Sequence, residues 1–222
     1  MKIDENDPKL DSKLLAVKER IKERTGFVLT KAVCPLDDSA VLQVGYKKDY
    51  YEDQIPVLII SQSAESLFAL FADIVAHFFG IVFDNCMVDF VIERSYSKDC
   101  ANAQFRADKK DFLTALSLIY EFEDILVDDG CVRICYVSDK FGFEIQLTEH
   151  KLIHVYSVRN KNIRKVREFL RERNIPEISD MKLVTDFSHV HESFDALKEK
   201  FDRFVFLSGA VEEKDGKEWW ED

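Results

Sequence analysis

Three β-rich runs between residues 131 and 158, CVRICYV, FGFEIQLTE and KLIHVYSV, are joined by connections as short as Ser138-Asp139-Lys140 and Glu149-His150. A parallel pair needs a crossover of about a dozen residues or more, so these runs can pair only as an antiparallel meander. Any fold for the chain must therefore be arranged around an antiparallel sheet.

What flanks the meander reads as helix and strand in mixed order. Residues 9–24 place Leu10, Leu14, Leu15, Val17 and Ile21 on one stripe, with Gly26 just past the end, which is an amphipathic helix with a stop signal. Two β-rich runs follow, FVLTKAVC and AVLQVGY, then a charged loop KKDYYEDQ and a third run, IPVLIISQ. The pattern Leu67, Leu70, Phe71, Ile74, Val75 and Phe78 predicts a central helix ending at Gly80. Val88, Phe90 and Ile92 alternate with polar residues as a strand, and AQFRA reads as its short return. Asp108 is the expected N-cap of the next helix, and Asp128-Asp129-Gly130 is a hairpin-type turn before the meander. Beyond the meander come the helix IRKVREFLRER, a strand MKLVTDF and the helix ESFDALKEKFDRF.

The expected class is α+β: antiparallel sheets with helices on one face, in the order α-βββ-α-β(β)-α. The order of helix, three strands and helix recurs in residues 9–80 and 109–173, which raises a tandem duplication of the architecture. A gap-free shift of 45 residues matches Ile74 with Ile119 and Cys86 with Cys131, but the strand alternation slips by one, so it is not a sequence repeat. The expected organisation is an α+β half at residues 1–107, a second at 108–211, and an acidic tail at 212–222.

Residues 109–207, with the Asp128-Asp129-Gly130 turn, the FGFEIQLTE and KLIHVYS meander, the basic helix and the closing helix, resemble type III secretion chaperones in the order and spacing of elements. That resemblance implies an acidic, often dimeric module that binds other proteins. A tandem copy would be similar to such a dimer made in one chain.

Charge is distributed unevenly. Residues 26–158 hold 21 acids and 11 bases, whereas residues 159–173 hold seven bases and two acids, out of a net charge of −11. An acidic body repels nucleic acid and anionic membranes and attracts basic partners. The apolar stretch from Leu67 to Phe83 is interrupted by Asp73 and His77 and reads as a core helix, not a membrane span. The N-terminal MKIDENDP has no apolar core, so no secretion signal is expected. Five cysteines without Cys-x-x-Cys spacing suggest a reducing, cytoplasmic home and no disulfide framework.

Neither a Gly-rich phosphate loop nor a nucleophilic triad is legible, so no catalytic residue and no cofactor is expected. If the chain holds a metal, the ligands it would use are Asp186, His189 and His191, because His-x-His after a strand presents two rings on one face. The alternative is a polar turn before the last helix. Arg164, Arg167 and Arg171 form an outward basic stripe that could grip carboxylates or phosphates, and Trp219 and Trp220 are the apolar part of the tail. These five residues are the candidate partner contacts. The function expected is that of a non-enzymatic, chaperone-like or adaptor module for a basic or partly unfolded protein, with a homodimer as a further option. The alternatives are an immunity protein neutralising a basic toxin and a metal-dependent hydrolase built on Asp186, His189 and His191.

Overall fold

A computed structural model describes residues 10–52, 54–94, 103–193 and 195–213, which contain six α-helices and ten strands. The fold is α+β with antiparallel sheets. Helix α1 (Leu10–Thr25) buries Leu14 and Ile21. It stops at Gly26, whose φ of 74° lets its N–H return to the Lys22 carbonyl at 2.8 Å. After the short β1 (Val33–Pro35), β2 (Gly45–Tyr51) and β3 (Ile55–Ser61) form a hairpin. Helix α2 (Ala64–Val75) runs straight into a π-helical segment, Ala76–Val82, two residues past the predicted end.

Strands β4 (Val88–Arg94) and β5 (Ala103–Lys110) pair next, followed by α3 (Phe112–Glu121) and α4 (Glu123–Asp128). The meander is β6 (Val132–Ser138), β7 (Phe143–Leu147) and β8 (Ile153–Ser157). Helix α5 (Asn160–Glu172), β9 (His189–His191), α6 (Asp195–Ser208) and β10 (Val211–Glu212) complete the order.

The large sheet runs β10-β5-β4-β6-β7-β8-β3-β2. The meander occupies its middle, with the β4–β5 pair joined through β6 and the β2–β3 hairpin through β8. The halves at 1–107 and 108–211 therefore do not build separate sheets: the strands of the first half flank the meander of the second. Strand register explains why. Leu58, Ile60, Phe90 and Ile92 point to the same core as Ile134, Tyr136, Ile145 and Val155, so one continuous apolar face is covered by α2 to α6.

Aromatic rings fill the space between. Phe78 stacks on Phe143 at 5.1 Å, and Tyr136, fully buried, donates its hydroxyl to the Ala115 carbonyl at 2.7 Å. Gly80 lies against Phe112, where an added Cβ would come within 2.9 Å of the ring. The helix Ala64–Val82 has the length and composition of a membrane span. Its side chains Leu67, Phe71, Ile74, Phe78 and Phe79 are instead consumed by the core.

Several local expectations change: FVLTKAVC and AVLQVGY become strand only at Val33–Pro35 and from Gly45 onward. The charged run after Tyr46 is mostly strand: β2 lies at the sheet edge, where Lys47, Lys48 and Asp49 stay wet and discourage further pairing. Helix α3 is capped by Asp111, which accepts from the Thr114 N–H at 3.0 Å, while Asp108 belongs to β5 and binds the Arg106 guanidinium. MKLVTDF is not a strand. Met181 and Leu183 pack with Leu152 and Ile59 on the sheet's other face, and the run ends in a 3-10 turn, Val184–Asp186.

Candidate metal centre

Strand β9 presents His189 and His191 on one side because alternate residues of a strand share a face. It is paired antiparallel with β1, from Val33 opposite His191 to Pro35 opposite His189. This two-stranded ribbon docks on the turn before β6: Gly130 donates its N–H to the Glu192 carbonyl at 2.8 Å, and Glu192 donates to the Ala32 carbonyl at 2.8 Å. Gly130 is required by that close approach, since a Cβ there would lie 2.1 Å from the Ala32 oxygen.

The third histidine comes from the main sheet. His150 sits in the β7–β8 turn, closed by Thr148 N–H to the Leu152 carbonyl and Lys151 N–H to the Thr148 carbonyl, both 2.9 Å. Lys151 holds the turn in the left-handed region, φ 60°, and sends its buried ammonium to the Val132 carbonyl at 3.0 Å. Burial lowers that lysine to about 8, against the opposing pull of Asp129 and Glu149.

The imidazole rings of His150, His189 and His191 lie 4.8–5.2 Å apart, centroid to centroid, and each offers one ligand nitrogen within 4.8 Å of the others. Their Nδ1 atoms are all engaged: His189 with the Phe187 carbonyl at 2.8 Å, His191 with the Gly130 carbonyl at 2.5 Å, and His150 with the Glu149 carboxylate at 3.2 Å. A carbonyl or carboxylate can only accept, so Nδ1 carries the proton and Nε2 keeps the lone pair. This is the outer support that metal-bound histidines use, including a carboxylate behind one ring. A tetrahedral zinc with Zn–N of about 2.0–2.1 Å sets its nitrogens about 3.3 Å apart, so the set, within 4.8 Å here, would have to draw together on the ion.

At His191 the electrostatics favour the neutral, ligating state. Burial lowers the pKa of His191, and the neighbouring rings add to the effect against the Gly130 hydrogen bond. Burial alone would raise Glu149, but the His150 hydrogen bond, its own backbone and Arg133 outweigh it and hold the carboxyl at about 2. A nearby cavity of about 20 Å³, lined by Thr30, Ser61, His150 and Lys151, has room for one water.

Of the residues singled out from sequence, His189 and His191 are brought together. Asp186 is not part of the cluster: its carboxylate accepts the Leu183 N–H at 2.8 Å and caps the 3-10 turn. His150 had no sequence signal beyond its place in a short connection.

The three arginines are exposed on α5, but only Arg167 has an ion-pair partner among the described residues, Glu177 at 2.6 Å. Trp219 and Trp220 lie outside the described residues. No family model, curated protein or solved structure matches the chain.

Proposed function

We propose that this is a metal-binding protein that takes one first-row divalent ion, zinc being the suitable probe, through Nε2 of His150, His189 and His191. The observation that carries the reading is that all three Nδ1 atoms already have acceptors, which leaves three Nε2 lone pairs for an ion. Three imidazoles suit zinc, copper and nickel over magnesium or calcium, which prefer oxygen. The fourth tetrahedral position stays open to water. Zinc in such a site lowers the pKa of bound water to about 7. The free thiols of Cys34, Cys86, Cys131 and Cys135 support a reducing, cytoplasmic setting.

Calorimetric titration with zinc should give one site per chain, weakened at least tenfold in each of His150→Ala, His189→Ala and His191→Ala. Glu149→Gln should weaken it by about 10–100-fold through loss of the carboxylate behind His150. Absence of binding to the native chain, or equal binding by the triple alanine variant, would end the reading.

A second reading keeps the chain as a protein-binding module, with α5 as its contact face. Arg164 and Arg171 project outward with no carboxylate in ion-pair reach among the described residues, unlike Arg167. A partner bound there should dissociate on adding salt, and the pair Arg164→Glu, Arg171→Glu should weaken binding by about tenfold or more. A complex insensitive to both changes would place the interface elsewhere.

A further inference from the structure

The three histidines belong to two different parts of the molecule. His150 is fixed to the main sheet, whereas His189 and His191 lie on the β1–β9 ribbon, which packs with α1. The α1 layer has its own small apolar cluster, Ile21, Phe27, Ala40 and Leu42 with Val17, Leu29 and Phe187 around it, separate from the main core. This cluster, with the buried Leu14, Ala32, Val33 and Cys34, holds the layer as a unit distinct from the main core.

Its attachments to the sheet and to α2 include several polar contacts beside the buried Val33 and Leu42. The Gly130–Glu192 and Ala64–Val28 backbone bonds, both 2.8 Å, are joined by the Lys31–Asp128 pair at 2.8 Å, where Lys31 is largely exposed. Exposed pairs contribute little, and a layer with a small core of its own can open as a unit apart from the main core.

On this geometry, and resting on the metal reading above, we infer that the bound ion is a latch that controls opening of the α1–β1–β9 layer. The complete three-nitrogen site exists only while the ribbon is docked, because undocking removes His189 and His191 from His150. A ligand that binds only the closed form suppresses opening by the factor 1 + [M]/Kd. The layer also forms one wall of the small cavity, with Phe27, Thr30, Val33 and Leu42 facing Ser61, Gln62 and Leu152. Opening would thus expose the far end of β3 and the β7–β8 turn, so that metal supply would decide whether this end of the sheet is covered.

Hydrogen exchange of the full chain, chelator-treated and then with zinc chloride at 100 times the measured Kd, tests the latch. Amides of residues 10–35 and 189–193 should exchange up to about a hundredfold more slowly with zinc, while β6 and β7 stay unchanged. In His150→Ala the zinc effect should vanish. Zinc that binds by calorimetry but slows exchange nowhere, or equally everywhere, overturns the latch and leaves the metal site standing. Zinc that does not bind the native chain overturns both.

Discussion

Gly130→Ala is expected to destabilise the protein by about 3–5 kcal/mol, read as a lower urea midpoint with little change in slope. The new methyl would meet the Ala32 carbonyl oxygen at 2.1 Å and the Glu192 carbonyl oxygen at 3.0 Å. Both are backbone atoms of the docked ribbon, so relief requires moving a strand and not a side-chain tip. Moving it separates Glu192 from the Gly130 N–H and His191 from the Gly130 carbonyl. Zinc affinity should therefore fall together with stability, although alanine cannot bind or repel a metal. A loss below about 1 kcal/mol would mean that the ribbon does not rest on this turn.

Asp129→Asn is the other large effect, expected at about 3–5 kcal/mol, because it breaks a buried ion pair. Asp129 is fully buried, and its Oδ2 lies 2.9 Å from the guanidinium of Arg94, itself 5% exposed. The Oδ1 contact from the Cys131 N–H at 2.9 Å survives in asparagine, so the substitution isolates the lost charge. Replacing both residues, Asp129→Asn with Arg94→Met, should recover part of the loss, since an apolar side chain tolerates burial beside the amide better than a buried guanidinium that has lost this carboxylate. Chemical denaturation of the two single variants and the double decides it. If the double is less stable than either single, the ion pair is not the source of the effect.

How far the sequence could be read depended on whether the determining contacts were local. The meander followed from connection length, and α5 from Ile163, Val166, Phe169 and Leu170 at helical spacing. Strand β2 was hidden because an edge strand of Lys-Lys-Asp has the composition of a loop, and only the β3 ladder makes it a strand. MKLVTDF misled in the opposite sense: its apolar residues serve packing against Leu152 and Ile59 without entering a ladder.

At the histidine cluster, His-x-His spacing was visible but its third member was not. His150 meets His189 and His191 only through the docking of a ribbon on a turn, a tertiary event with no local trace. Asp186 was selected by proximity in sequence, yet its nearest orphan donor, the Leu183 N–H, claims it. The Asp128-Asp129-Gly130 run is not a hairpin turn: Asp128 closes α4 and Asp129-Gly130 lead into β6, contributing a buried ion pair and the seat for the ribbon.

The interleaved sheet has a consequence for how the chain comes into being. During synthesis, β3 and β4 appear long before β8 and β6, the strands that will lie beside them. At about 5–20 residues per second, the stretch from residue 107 to residue 157 takes roughly 3–10 s to emerge. Until β6 and β8 emerge, β3 and β4, rich in Val, Leu, Ile and Phe, lack the strands that will lie beside them, the form of surface that templates pairing between chains. The nascent first half is therefore a client in waiting, protected only when the meander arrives to fill the gap it was built around.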